Sequence, residues 1–124
     1  RILPLELIMK MKVRKFYEAR LYIGCYDNKL GRRFYEDDLA IAIKEIQEAH
    51  KTMIPVRITQ TNYVSGMYYQ EEGWEIAAIN YPRIEITSTD INDFMGYLAA
   101  KLIKRFNQNR ICIVNPTEVI MVEP

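Results

Sequence analysis

The sequence predicts an α+β domain in which two helices cover one face of an antiparallel sheet, in the order β-α-β-β-α-β with one further strand. Two segments keep apolar residues at helical spacing, and the segments around them alternate or form short apolar runs typical of strands. Neither a linker nor an internal repeat interrupts the 124 residues. We therefore expect a ferredoxin-like plan or a near relative, with residues 1–124 forming a single domain and residues 1–11 an N-terminal extension.

The first half of the chain is expected to hold a strand, a helix and a second strand. Polar and apolar side chains alternate over residues 15–25, as they do in a half-buried strand. A polar loop follows, and the acidic run that starts at Glu36 favours a helix N-terminus. This helix is expected to end near His50. The second strand is predicted from residue 54 to residue 69, with a bulge at Gly66.

The second half begins with a predicted hairpin turn over residues 70–73, because Gly73 offers the positive φ that such turns require. The chain then returns as a third strand over residues 74–80. The run Thr-Ser-Thr-Asp at residues 87–90 predicts the start of the second helix. The last two expected strands are short apolar segments, residues 111–114 and 119–122.

Composition and charge exclude several classes of function. Lys and Arg total 17 against 16 acidic residues, a formal charge of +1, which argues against binding a polynucleotide. No apolar run approaches the roughly 20 residues that span a bilayer, so no membrane partner is expected. Two cysteines are too few for a disulfide framework and suit a reducing cytoplasm.

The residues that carry most enzymatic chemistry are scarce. His50 is the one histidine, and Cys25 and Cys112 lie in apolar strand segments, where we interpret them as core residues. A zinc site needs four ligands of these types, and the glycines match no phosphate-binding motif. The sequence therefore predicts no catalytic residue, no metal, no cofactor and a chain that is not an enzyme, although pairs among the acidic residues stay open.

The face of the sheet that points away from the helices is more informative. By strand alternation, Arg20 and Tyr22 of the first strand and Arg57 and Tyr63 of the second are expected on that face. Two guanidinium groups can hold a phosphate, and an aromatic ring can stack on a base. This face is therefore predicted to bind a small anionic ligand or to pack against a second subunit.

Three segments carry a resemblance to a known family: FYEARLYIG at residues 16–24, EGWE at residues 72–75 and TDINDF at residues 89–94. With these segments the chain resembles the phage-encoded Thoeris anti-defence sponge proteins of the first type, from about residue 12 onwards. The resemblance implies a homo-oligomer built from dimers in the cytoplasm of an infected bacterium. It also implies pockets near the subunit interface that sequester, without cleaving it, a cyclic ADP-ribose isomer such as glycocyclic ADP-ribose.

A sponge of this kind needs arginines for a pyrophosphate and rings for an adenine. The ligand-binding residues that we predict are Arg20, Arg33, Arg57, Trp74, Asn92 and Arg110. Two other classes of function stay open. One is a protein-binding inhibitor of a host defence enzyme, and the other is a small nucleotide hydrolase or lyase that uses paired carboxylates.

Overall fold

Two helices and seven strands make up the part of the chain that the computed structural model describes, residues 9–124. The strands are β1 Glu18–Gly24, β2 Tyr26–Asp27, β3 Arg32–Arg33, β4 Arg57–Ser65, β5 Tyr69–Ile79, β6 Ile111–Val114 and β7 Val119–Val122. The helices are α1 Glu36–His50 and α2 Ser88–Arg105. The predicted N-terminal extension lies mostly outside the described residues.

The main sheet has five strands in the order β4-β5-β1-β6-β7, and each strand is antiparallel to its neighbours. Without β7, this order is that of a ferredoxin-like sheet, with β1 in the interior and the β-α-β crossovers on one face. The predicted fold class, two helices packed on one face of an antiparallel sheet, is confirmed. Strands β4 and β7 each leave one edge of the sheet without a partner strand from residues 9–124.

The core lies between the helices and one face of the sheet. On β1, Ala19, Leu21 and Ile23 point to this side and are at most 2% exposed. Helix α2 contributes a buried stripe at helical spacing, formed by Ile91, Phe94, Met95, Leu98 and Leu102. Burying each large apolar side chain contributes about 1.5–3 kcal/mol, so this layer holds the helices in place.

Both helices begin where the sequence predicts. Thr87 and Asp90 form a reciprocal cap at the start of α2, because the Asp90 N–H donates to the Thr87 hydroxyl over 3.0 Å and the Thr87 N–H donates to the Asp90 carboxylate over 2.9 Å. At the start of α1, the backbone N–H of Tyr35 donates to the Asp38 carboxylate over 2.8 Å. The acidic residues near these termini therefore cap the helices.

The predicted hairpin turn over residues 70–73 is wrong. The chain turns at residues 66–68, where Gly66 has a φ of 72°, and residues 70–73 lie inside β5. Gly66 therefore supplies the positive φ of the turn and is not a bulge inside a longer strand. The observed register places Tyr63 of β4 directly opposite Glu71 of β5. The predicted loop after β1 also differs, since β2 and β3 pair there as a small hairpin.

Gly73 has a different role from Gly66, because it allows two strands to approach closely. It lies opposite Gly24 in the pairing of β1 with β5. A Cβ atom at Gly73 would lie 2.5 Å from the carbonyl oxygen of Ile23 and 3.2 Å from a ring carbon of Tyr63. The first contact is shorter than real Cβ atoms show, so the centre of the sheet depends on glycine at this position.

The face of the sheet away from the helices, which we call the open face, carries an ion-pair cluster. The Glu18 carboxylate accepts from Nε of Arg20 over 2.7 Å and from the guanidinium of Arg57, also over 2.7 Å. The Glu18 side chain is only 11% exposed. Partial burial by itself raises the pKa of Glu18, but the hydrogen bonds from Arg57 and Arg20 outweigh it and hold the pKa below its ordinary value.

We expect Gly73→Ala to lower the free energy of unfolding by about 1–3 kcal/mol, because the new methyl group must push β1 and β5 apart. Urea denaturation measures the change. Gly96→Ala on α2 is the matched control, since a Cβ there meets nothing within 4 Å; it should keep or slightly raise stability. Equal stability of the two variants would contradict the proposed role of Gly73.

The low pKa of Glu18 predicts a dependence of stability on pH. The folded protein binds a proton at Glu18 less readily than the unfolded chain does, so this contribution is complete above the ordinary glutamate pKa of about 4.3 and is lost as the pH falls below it. Denaturation of the wild type and of Glu18→Gln between pH 3 and pH 7 tests this. The variant should lose less stability on acidification, and parallel curves would contradict the assignment.

Candidate functional site

The open face brings together several of the residues that strand alternation placed there. Arg20 and Tyr22 of β1 point to it, and so do Arg57 and Tyr63 of β4, as the register of the two strands against β5 requires. This part of the prediction is confirmed. Arg20 and Arg57 converge, but on the Glu18 carboxylate, so an anionic ligand at that point would have to displace Glu18.

A cavity of about 240 Å³ opens at the other end of the open face, beyond the last residues of β1. We call it the Tyr63 cavity. Its lining includes Tyr22, Gly24, Tyr63, Glu71, Gln108 and Arg110. The opposed pair Gly24 and Gly73 leaves both central strands without side chains here. Gly24 therefore keeps the space at the end of β1 free of a side chain, and Gly73 lets the Tyr63 ring approach the sheet and form one wall.

Two tyrosine rings form the aromatic wall of the Tyr63 cavity. The rings of Tyr22 and Tyr63 meet edge to face, with centroids 5.7 Å apart and planes at 82°. The Tyr63 hydroxyl is buried and has no hydrogen-bond partner among the described residues. Burial raises the pKa of this hydroxyl, so it stays a neutral donor. An unpaired buried hydroxyl calls for a partner, and a ligand in the cavity would supply one.

The carboxylate of Glu71 is the acidic group of the cavity. The Tyr69 hydroxyl, two residues earlier on the same face of β5, donates a hydrogen bond to one Glu71 oxygen, and this bond raises the pKa of Tyr69. The other oxygen, Oε1, lies over Gly24, where a Cβ atom would be 3.1 Å away. Tyr69 thus fixes the carboxylate in an orientation that directs its second oxygen toward the space above Gly24.

The connection between α2 and β6 supplies the remaining wall and is hydrogen-bonded to β2. The side-chain amide of Asn107 donates to both Asp27 carboxylate oxygens, over 2.9 and 3.1 Å. Gln108 is 7% exposed, and its amide nitrogen donates to the carbonyl oxygens of Tyr26 and Phe106 over 2.8 and 2.9 Å. These bonds position Gln108 beside Gly24 and Arg110 at the rim.

The structure does not gather the six predicted site residues in one place. Arg20 and Arg57 lie together on the open face, and Arg110 lines the Tyr63 cavity. The other three lie elsewhere: Arg33 of β3 pairs with Glu72, Trp74 of β5 is a core residue with 5% exposure, and Asn92 of α2 accepts a 2.7 Å hydrogen bond from the Tyr17 hydroxyl. A ligand in the Tyr63 cavity would therefore meet Arg110 alone among them.

Sequence reasoning missed three residues of this cavity. Gly24 and Gln108 carry no motif that marks them, and Glu71 was assigned to a hairpin turn. The signal that could have found Glu71 is the second glycine, Gly66, because a turn there makes Tyr63 and Glu71 cross-strand neighbours. Cys112, interpreted as a core residue, instead lines the cavity and is partly exposed, whereas Cys25 is buried as expected.

Residues 9–124 contain neither a cluster of metal ligands nor a membrane-spanning helix. Within this range, no group of three or more His, Cys, Asp or Glu side chains is placed to hold a metal ion. None of the helices described is long and apolar enough to cross a membrane.

Comparison with known proteins gives a fold relationship. No protein-family model matches the chain, and no curated protein matches it. A solved phage SAM lyase in complex with S-methyl-5′-thioadenosine is similar over 94% of this chain and 95% of its own, with a TM-score of 0.66 and 11% identity. A phage SAM lyase in the apo state matches over 87% and 89%, with a TM-score of 0.61 and 12% identity.

These matches bear on two expectations: that the chain is not an enzyme, and that it resembles the Thoeris sponge proteins. The prediction that the chain is not an enzyme is contradicted, because the same fold occurs in a phage SAM lyase. A short inventory of nucleophiles and metal ligands does not exclude catalysis on this fold. The resemblance to Thoeris sponge proteins is supported only in that the fold occurs in phage proteins, one of them holding a small nucleoside ligand. Binding of a cyclic ADP-ribose isomer stays a prediction.

Proposed function

We propose that this chain binds S-adenosylmethionine in the Tyr63 cavity and cleaves its carbon–sulfur bond, releasing S-methyl-5′-thioadenosine. The observation that carries the proposal is the cavity itself. In a fold shared with a phage SAM lyase, it places two tyrosine rings, a buried unpaired hydroxyl and the Glu71 carboxylate around one space. It is related to the lyase that the sequence left open but differs from it in mechanism, because the cavity lining holds the Glu71 carboxylate and not a pair of carboxylates.

The charges of the cavity suit a cationic nucleoside. S-adenosylmethionine carries a sulfonium and an α-ammonium, and Glu71 supplies a negative charge among the cavity residues. The faces of Tyr22 and Tyr63 can stack on an adenine or attract a sulfonium through the ring quadrupole. A phosphorylated ligand would instead bring several negative charges next to Glu71. With the Glu71 carboxylate and the Arg110 guanidinium both in its lining, the cavity matches the sulfonium and the zwitterionic amino acid end of S-adenosylmethionine better than the several negative charges of a nucleotide.

The chemistry of the substrate explains why so few catalytic residues are needed. A sulfonium sulfur is already an activated leaving group, so the carbon–sulfur bond breaks with its electron pair going to sulfur, which becomes the neutral thioether of S-methyl-5′-thioadenosine. The carbon left behind then accepts an oxygen of the substrate's own carboxylate, giving a lactone; alternatively, the neighbouring carbon gives its proton to the Glu71 carboxylate or to water, and an alkene forms. The protein's contribution is then to bind the substrate in a reactive geometry.

The cyclic ADP-ribose isomer is the second candidate ligand, because Arg20 and Arg57 lie on the same face as the cavity. Both guanidinium groups are engaged with Glu18 at 2.7 Å. A pyrophosphate at that point would have to replace a hydrogen-bonded carboxylate, which weakens the net gain. We therefore rank this ligand behind S-adenosylmethionine.

We further propose that the protein acts as a homo-oligomer in which a second copy closes the Tyr63 cavity. At about 240 Å³, the cavity is smaller than the roughly 300–1,000 Å³ of typical ligand sites. The adjacent hairpin tip exposes two large apolar side chains, Met67 at 87% and Tyr68 at 96%. Exposed apolar groups beside a half-built pocket are typical of an interface between subunits.

Turnover is the first test of the proposed function. Incubation with S-adenosylmethionine should produce S-methyl-5′-thioadenosine, which liquid chromatography with mass spectrometry detects along with the lactone or alkene. Glu71→Gln should lower kcat/KM by about 10- to 100-fold, the effect of losing one charged hydrogen-bonding contact. Glu45→Gln is the matched control, because Glu45 pairs with Arg105 on the helices and should leave turnover unchanged.

Three outcomes distinguish the proposals. Unchanged S-adenosylmethionine after prolonged incubation, at a protein concentration that supports an oligomer, would rule out the lyase function. When a cyclic ADP-ribose isomer replaces S-adenosylmethionine in the incubation, its retention by the protein in unchanged form would favour the second ligand. Equal turnover by Glu71→Gln and the wild type would remove Glu71 from the site.

Multi-angle light scattering tests the oligomer. We expect a mass that is a multiple of 14.7 kDa, because the apolar hairpin tip and the small cavity both call for a covering surface. Tyr68→Lys should reduce the mass toward the monomer and lower turnover in parallel. A wild-type protein that is monomeric and fully active would contradict the proposed homo-oligomer and leave the proposed lyase function intact.

A further inference from the structure

The space above Gly24 is a small cradle between two acceptor oxygens. A Cβ atom at Gly24 would lie 3.1 Å from Oε1 of Glu71 and 3.3 Å from Oε1 of Gln108. Both distances are tighter than most Cβ contacts in proteins, so glycine at this position is what lets the two oxygens converge above the end of β1. A donor group that enters the cavity over this pair of oxygens would meet an acceptor on each side.

Both oxygens are held in place by hydrogen bonds made elsewhere. The amide nitrogen of Gln108 donates to two backbone carbonyls, those of Tyr26 and Phe106, which fixes the orientation of a side chain that is 7% exposed. Its Oε1 accepts no hydrogen bond from any residue between 9 and 124 and is left facing the cradle. Tyr69 holds the far oxygen of Glu71. The cradle is therefore preorganised to accept hydrogen bonds.

We infer that Glu71 and Gln108, across Gly24, form a subsite for the primary ammonium of an α-amino acid group, an inference that rests on the proposed function. An ammonium has three N–H donors and no acceptor, so it matches two acceptor oxygens of which one is charged. A sulfonium has no N–H to donate. A hard cation such as Ca²⁺ needs 6–8 oxygen ligands, more than this cradle offers.

Arg110 extends the same subsite. Its side chain lines the cavity on the Gln108 side and makes no ion pair within the described part of the chain. An α-amino acid group carries a carboxylate next to its ammonium, and a guanidinium is the side chain best suited to bind it. This subsite would bind the amino acid end of the ligand independently of its adenosine. Glu71 and Gln108 would bind the ammonium, and Arg110 would bind the carboxylate.

The test compares three stable probes by calorimetry, none of which contains a sulfonium that could be cleaved. S-adenosylhomocysteine has the amino acid group, its deaminated analogue has hydrogen in place of the ammonium, and S-methyl-5′-thioadenosine has neither ammonium nor carboxylate. The wild type should bind the first at least about tenfold more tightly than the second, because a charged hydrogen bond is lost. Gly24→Ala should reduce this difference, since its methyl group crowds both oxygens and would push them apart.

Gly24→Ala should weaken the binding of S-adenosylhomocysteine more than that of S-methyl-5′-thioadenosine, which has no ammonium to meet the two oxygens. Gly96→Ala, on the far helix, is the control and should bind all three probes normally. Equal wild-type affinity for the first two probes would overturn the subsite while leaving the proposed function in place; this comparison needs no variant and holds even if Gly24→Ala is unstable. Failure of the wild type to bind any probe would overturn the proposed function itself.

Discussion

The pairing of β1 with β5 at the centre of the sheet is the constraint on which the rest of the structure depends. Strand alternation sends Leu21 and Ile76 toward the helices, and Tyr22 and Glu75 to the open face. A slip of one residue would exchange these faces and expose the core. The same register sets Gly24 against Gly73, so the position of the cavity follows from the pairing that stabilises the fold.

The candidate site is consequently built around missing side chains. The Tyr63 ring approaches the sheet where Gly73 has no Cβ, and the oxygens of Glu71 and Gln108 border the space that a Cβ at Gly24 would fill. The hydrogen bonds between Asn107 and Asp27 then anchor the connection that carries Gln108. The cavity-lining groups come from four separate segments and are held by contacts that also stabilise the sheet. Substitutions that alter the cavity will therefore also affect the stability of the sheet.

The sequence alone was sufficient for the helices and for the order of the strands, because apolar spacing and capping residues such as Thr87 act locally. It was not sufficient for the β4–β5 hairpin. Gly66 and Gly73 both follow polar residues, and one sequence cannot show that the first supplies a positive φ while the second allows a close approach to Ile23. The faces of Arg20 and Arg57 were predicted correctly from alternation, but their shared partner Glu18 depends on tertiary contacts. Catalysis was excluded wrongly, because counting nucleophiles ignores the reactivity that a substrate brings with it.

Strand β7, at an edge of the sheet with no partner strand on its outer side among residues 9–124, has a consequence for solubility at high concentration. Strand β7 is a run of four apolar residues, Val119–Val122, with Val119 at 69% and Met121 at 54% exposure. An accessible apolar edge is a template on which identical chains can stack into fibrils. Glu118 and Glu123 flank this run on both sides, and their like charges would face each other if two copies paired antiparallel. These acids act as gatekeepers: they leave the edge open to a different partner strand while discouraging the protein from aggregating with itself.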